Sequence, residues 1–175
     1  MNFEKYIART MLQQLNKKAF EDITVQSILD ECEVARSTFY RYFKDKYDLM
    51  NRCYLIHIDE IIANYKGDNW PELLGLIYQF NEDNSQYLKN AYSVTGANTF
   101  SECIYDHIFN MYHLEYLERT NADRLSTMES KILSFFSGGI CFAINQWVNS
   151  PRKESARDMA NWAYTFIPDP FRKYF

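Results

Sequence analysis

The sequence predicts an all-α chain of about nine helices, with a helix-turn-helix unit over residues 1–46 and a helical C-terminal unit over residues 47–175. Three observations predict it. Apolar residues recur every three or four positions along most of the chain, the repeat of a helix with one buried face. Only 5 Gly and 4 Pro interrupt 175 residues, too few for the many tight turns of an all-β chain. Between Thr24 and Lys46 two short helical patterns are separated by a two-residue turn and followed by the start of a longer one.

The first helix spans residues 3 to 20, with Ile7, Met11 or Leu12, Leu15, Ala19 and Phe20 as its apolar stripe. Thr24 suits an N-cap, its hydroxyl accepting from the free N–H groups of the next helix, in which Val25, Ile28 and Leu29 share a face. Glu33-Val34 is the turn, with Val34 directed inward. The following helix opens at Ala35 or Arg36 and turns Phe39 and Phe43, four apart, to the core. Its other face carries Arg36, Ser37, Thr38, Tyr40, Arg41 and Tyr42, all hydrogen-bond donors. An apolar back and a donor-rich front fit the recognition helix of a helix-turn-helix, whose N-terminal side chains meet base edges in a major groove.

Reach assigns the roles. Thr24, Tyr42 and Lys46 suit phosphate oxygens. Arg36, Ser37, Thr38 and Tyr40 suit base edges, Arg36 as a bidentate partner for guanine. Arg41 and Lys44 add electrostatic attraction. The formal charge is −4, yet Arg36 to Arg52 holds five basic residues against two acidic ones. A local basic patch on an acidic chain favours docking on double-stranded DNA at one place over indiscriminate coating.

The run ITVQSILDECEVARSTFYRYFKDKYDLM resembles the N-terminal DNA-binding domain of the TetR family of bacterial transcriptional regulators. The resemblance rests on Thr24, Val34, Thr38-Phe39-Tyr40-Arg41-Tyr42-Phe43 and Lys46 to Leu49, and covers roughly residues 5 to 55. The family pattern has Gly or Asn in the turn where this chain has Glu33; a left-handed backbone costs such a residue about 1 kcal/mol. The resemblance implies a homodimer on a pseudo-palindromic operator, usually as a repressor, and an effector site in the C-terminal half.

That half continues the helical pattern. A fourth helix runs from Lys46 to about Tyr65, with Leu49, Met50, Cys53, Ile56, Ile58, Ile61 and Ile62 apolar. Two shorter helices fill residues 71 to 93, and Thr95-Gly96-Ala97-Asn98 breaks the pattern. Long helices follow over about Thr99 to Arg119 and over residues 125 to 148, the second despite Gly138-Gly139. Two interior glycines cost roughly 1 kcal/mol each, which points to close approach of a partner backbone. The last helix covers about Lys153 to Phe166. In the resembling family the last two helices form a four-helix bundle with a second copy. That implies an interface of Phe136, Gly139, Ile140, Ala143, Ile144, Trp147, Met159 and Ala163.

Tyr54, His57, Tyr78, Tyr92, Phe100, Tyr105, Phe109 and Tyr112 are the candidates for lining a small-molecule effector pocket. Aromatics at helical spacing are as readily plain core, but so many hydroxyls require partners. Cys53-x3-His57 and Cys103-x3-His107 each place a thiol and an imidazole one turn apart, and together offer an alternative reading as a zinc-type metal sensor. No catalytic or cofactor-binding motif is present: no G-x-S-x-G, P-loop, H-E-x-x-H or G-x-G-x-x-G. A further alternative is a helical interaction protein whose helix-turn-helix does not bind DNA. No secretory signal pattern or apolar run of membrane-spanning length occurs, and the four cysteines form no C-x-x-C pair, so the expected compartment is the cytoplasm, away from membranes.

Overall fold

The computed structural model of the chain describes residues 2–96, 99–151 and 154–175. Among these there are ten α-helices and no strand. They are α1 (Phe3–Leu15), α2 (Val25–Cys32), α3 (Arg36–Tyr42), α4 (Lys46–Asn64), α5 (Trp70–Asp83), α6 (Ser85–Tyr92), α7 (Phe100–Thr120), α8 (Thr127–Asn149), α9 (Ala156–Thr165) and α10 (Asp169–Arg172), with a 3-10 turn over Phe20–Asp22. The first helix therefore stops at Leu15, short of residue 20, because Phe20 belongs to the 3-10 turn. The expected start of the last long helix, Lys153, and the expected break at Ala97-Asn98 lie outside the described residues. Among the described residues no helix is long and apolar enough to cross a membrane.

Local chemistry sets the boundaries. Thr24 Oγ1 accepts from the Ser27 amide at 3.0 Å while Ser27 Oγ accepts from the Thr24 amide at 3.2 Å, a reciprocal cap that starts α2. Asp45 caps α4 by accepting from the amides of Tyr47 and Asp48, both at 2.8 Å. Ser126 with Glu129, and Ser155 with Asp158, close the same kind of box at the starts of α8 and α9. Each such cap contributes about 1 kcal/mol.

The chain packs as two units. The first joins Met1–Tyr65 to Asp83–Phe100. Its central element is α1, which buries Ile7, Ala8, Met11 and Leu15 and touches α2, α3, α4 and α6. Polar side chains fasten α6 there: Asn90 Nδ2 donates to the carbonyls of Leu15 at 2.7 Å and Lys18 at 2.8 Å. Asn16 Oδ1 accepts from the Tyr87 amide at 3.0 Å, and the Tyr87 hydroxyl donates to the Met50 carbonyl at 2.8 Å.

The second unit joins Lys66–Glu82 to Ser101–Phe175 and has an aromatic interior. The Trp70 and Tyr112 rings stack at 5.2 Å, and Phe175 meets both edge-on. Tyr112 also contacts Phe136, and Tyr78 contacts Trp147. The Cys141 thiol donates to the Ser101 carbonyl at 3.3 Å, and the Tyr116 hydroxyl donates to Glu129 Oε1 at 2.5 Å, tying α7 to α8.

Candidate nucleic-acid interface

The turn between α2 and α3 decides how the recognition helix is presented. Glu33 takes the left-handed conformation, φ 52° and ψ 39°, and the Val34 amide reaches back to the Leu29 carbonyl at 3.2 Å. That is the helix-ending pattern in which Gly is favoured, so the turn keeps its shape with a Glu and carries a strain of about 1–2 kcal/mol. Val34 is half-buried, and Ala35 starts α3 without a side-chain cap. The first-turn amides of α3 thus have no side-chain oxygen of the cap residue to satisfy them.

Phe39 and Phe43 are buried, with ring centroids 5.5 Å apart, and they fix the rotation of α3. Its opposite face then presents Arg36, Ser37, Tyr40 and Arg41 to solvent, with Thr38 and Tyr42 half-buried at its edges. Arg36 and Tyr40 are pre-paired: the guanidinium carbon lies 5.7 Å from the ring centre, and Nη2 lies 3.5 Å from the hydroxyl. An ordered cation beside an exposed ring loses less side-chain entropy when it engages a base edge.

Thr24 is exposed, and its hydroxyl oxygen already accepts from the Ser27 amide, leaving the O–H free to donate outward. Lys44 is exposed just past the end of α3, its amide donating to Asp48 Oδ2 at 2.9 Å. Lys46 differs. It is half-buried, with Nζ 3.0 Å from the Phe20 carbonyl, 2.9 Å from the Ile23 carbonyl and 4.3 Å from the centre of the Phe20 ring.

The eight aromatic and His pocket candidates divide between the two units. Tyr54 and Tyr92 pack against Phe100 in the first unit, at 5.5 and 5.0 Å between ring centroids. Tyr78 and Tyr112 are buried in the second unit's ring contacts. Tyr105 and Phe109 do line an open groove of about 270 Å³, with Asp106, Ser130, Lys131 and Ser134. On its wall the Tyr105 and Ser134 hydroxyls lie 2.6 Å apart.

In the first thiol–imidazole pair both side chains meet backbone carbonyls. Burial pushes the Cys53 thiol up to about 12, and it donates to the Ala8 carbonyl at 3.2 Å, a contact between α4 and α1. His57 Nδ1 lies 2.7 Å from the Cys53 carbonyl, so that nitrogen carries the proton. Among the described residues no three His, Cys, Asp or Glu side chains gather as a metal-holding group, and Cys103 and His107 remain neighbours on α7.

Of the interface candidates, Ile144, Trp147, Met159 and Ala163 face inward and are buried within their own unit. Phe136, Ile140 and Ala143 are half-buried, and Gly139 is exposed. The large apolar side chains that do face out were not singled out from sequence: Met128, Phe135 and Phe142 on α8, with Trp162 on α9 and Phe166 at its end. Phe135 is 83 % exposed, Phe142 64 % and Phe166 67 %, values unusual for Phe in a self-sufficient fold. The signal for them was present as a seven-residue repeat, 128, 135 and 142, which keeps one face of a helix.

Residues 9–53 match the family model described as bacterial regulatory proteins, tetR family, and residues 68–169 match the model described as transcriptional regulator C-terminal region. No curated protein matches the chain in sequence. Among solved structures, the dihydroxyacetone kinase operon activator DhaS is 17 % identical with a TM-score of 0.70, the match covering 97 % of this chain and 96 % of that one. A TetR transcriptional regulator from Streptococcus agalactiae 2603V is also 17 % identical, with a TM-score of 0.63 and coverage of 92 % and 90 %. At that identity these two speak for the fold. The two family models span most of the chain between them, and the exposed donor face of α3 lies inside the first: the chain belongs to the TetR family of bacterial transcriptional regulators, DNA-binding transcription factors rather than enzymes.

Proposed function

We propose that the protein is a repressor that binds a pseudo-palindromic operator as a homodimer and releases it when a small-molecule effector occupies the C-terminal half. The observation that carries the DNA part is the face of α3: four exposed donors held in fixed rotation by Phe39 and Phe43. Arg36, Ser37, Thr38 and Tyr40 read base edges, with Arg36 set for guanine by its contact with Tyr40. Thr24 and Tyr42 donate to phosphates, and Arg41 and Lys44 add attraction to the backbone.

The dimer is supported by the exposed apolar faces of α8 and α9, where Phe135, Phe142, Trp162 and Phe166 meet their counterparts across a two-fold axis. A single helix-turn-helix reads too few base pairs for a specific site, and two related by symmetry read an inverted repeat. For the effector, the groove at Tyr105, Phe109 and Lys131 is the candidate entry point, combining ring faces with hydroxyls and a cation.

Selection from random duplex DNA with purified protein, at stated salt, tests the reading. An enriched inverted repeat is the expected result, and a reporter carrying it upstream of a promoter should fall in expression when the protein is supplied. A folded protein that enriches no sequence would remove the operator reading and leave the protein-interaction alternative.

A further inference from the structure

We propose that the rings of Trp70, Tyr112 and Phe136 form a slot for a neutral, planar aromatic compound carrying a hydrogen-bond acceptor, such as an aromatic ketone. The ring of Phe175 covers the slot until the compound displaces it. This deepens the effector reading above by giving the effector's chemistry, and only the consequence for DNA rests on that reading. The slot is built on three helices of the second unit, with Trp70 on α5, Tyr112 on α7 and Phe136 on α8. Trp70 and Tyr112 stack at 5.2 Å with 28° between their planes, and Phe136 meets the Tyr112 ring edge-on at 5.2 Å. Trp70 is 5 % exposed and Tyr112 2 %.

Phe175 is held differently. It lies three residues past the end of α10, is half-buried, and its amide makes one long hydrogen bond, 3.4 Å, to the Arg172 carbonyl. Its ring is seated by contact with Trp70 at 4.6 Å and with Tyr112 at 5.0 Å, both edge-on. The segment before it is anchored separately, Phe171 and Tyr174 packing on the Tyr116 ring at 4.8 and 5.2 Å. A residue outside regular structure with few backbone bonds opens more readily than the helices around it. The Phe175 ring can therefore swing out while its anchor stays.

The rings alone would make a plain core; what they leave over is polar. Among the described residues neither the Tyr112 hydroxyl nor the Trp70 N–H has an acceptor. Burial raises the Tyr112 hydroxyl above its ordinary value, so at neutral pH it is a protonated donor. A buried donor without a partner is costly. A carbonyl oxygen on an incoming ring relieves that cost, and the phenyl ring of Phe175 does not. Charge selects further. The two cations beside Phe175 in the chain are turned elsewhere: Arg172 donates to the carbonyls of Thr165 and Ile167, and Lys173 stands over the Tyr174 ring. A carboxylate buried against Tyr112 would lack a partner, which favours a neutral acceptor.

Isothermal titration calorimetry on the full chain tests the slot, with acetophenone, ethylbenzene and benzoate as probes. Ethylbenzene keeps the shape of acetophenone without its acceptor, and benzoate adds a charge. The wild type should bind acetophenone about tenfold more tightly than ethylbenzene, the worth of one buried hydrogen bond, and benzoate more weakly than either. Phe175→Ala should tighten both neutral probes alike, by about tenfold, because the covering ring no longer competes. Tyr112→Phe, which keeps the ring, should bring acetophenone down to the affinity of ethylbenzene and leave ethylbenzene unchanged. Equal affinity of the wild type for the two neutral probes overturns the proposal. So does binding seen in Phe175→Ala but not in the wild type, which would make Phe175 a fixed core ring. Release of selected DNA by acetophenone bears on the effector reading alone. A wild type that binds acetophenone through Tyr112 and keeps its DNA upholds the slot and rejects its control of the operator.

Discussion

At the scale of single residues, the fold moves two positions away from their ordinary behaviour, one in backbone conformation and one in proton affinity. Glu33 sits at φ 52° in the turn, where a Cβ crowds the following carbonyl. Glu33→Gly removes that crowding but adds freedom to the unfolded chain, so the net gain should be about 1 kcal/mol or slightly less in urea unfolding. DNA binding should be kept, because Glu33 is not on the donor face of α3; a loss of stability would mean that the Glu33 side chain makes a contact outweighing its backbone strain. Cys53 is the second position. Burial raises its thiol from 9.0 to about 12, so between those values the unfolded chain gives up a proton that the folded chain keeps. The associated stability is fully present below pH 9.0 and declines as pH rises, at about 1.4 kcal/mol per unit for one proton. Tyr116, raised to about 12 chiefly by its hydrogen bond to Glu129, adds the same sign from pH 10.0 upward. Urea midpoints from pH 8 to 10.5 should therefore fall for the wild type and fall less steeply for Cys53→Ala; parallel curves would contradict the buried thiol's role.

At the scale of elements, the Thr24 cap was legible, the caps Asp45, Ser126 and Ser155 were not used although the sequence carries them, and the choice of neighbours was hidden. Thr24, Asp45, Ser126 and Ser155 each mark a helix start by a polar side chain beside an apolar periodic run, and short-range chemistry is visible in sequence. The attachment of α6 to α1 depends on Asn16 and Asn90, polar residues with no periodic signature and partners about seventy positions away. The inward face of α8 was equally hidden, because this helix is apolar on both sides and only packing tells Ile144 and Trp147 from Phe135 and Phe142. The aromatics of the pocket reading are ambiguous in sequence for a related reason: Tyr and Phe spaced to face a ligand are also spaced to face each other, as Tyr54 and Phe100 do. Gly138 and Gly139 in α8 give an element-scale test. A Cβ at either meets nothing within 4 Å, so the subunit itself has no use for the missing methyl. Gly139→Ala should raise the stability of the isolated subunit by about 1 kcal/mol while weakening self-association, if a partner backbone approaches there. Thermal midpoints at low concentration and sedimentation equilibrium separate the two effects, and a variant stronger in both would show that no backbone comes close.

At the scale of the whole molecule, an acidic chain of net charge −4 is asked to hold a polyanion, and the proposed means is a local patch rather than bulk attraction. From Arg36 to Arg52 the excess is three positive charges, too few for tight binding by one subunit at physiological salt. Under the proposed dimer, specific affinity comes from engaging two half-sites at once, where the second contact becomes intramolecular and gains through effective concentration. In the proposed dimer the exposed rings of α8 and α9 join the copies, and they belong to a different unit from α3. Association and DNA contact can thus be altered separately. Phe142→Asp combined with Phe135→Asp places charges on the face that a second copy would bury, at a cost too large for the interface to absorb. Since both rings are exposed in the subunit, its own folding should be unaffected. Sedimentation should give a dimer for the wild type and a monomer for the variant, with unchanged helical content by circular dichroism. Affinity for an inverted repeat should fall by about a hundredfold or more, while affinity for a single half-site should stay the same. A variant that remains dimeric would move the interface off these two rings. A monomer that still holds the inverted repeat as tightly would mean that one copy reads enough DNA alone.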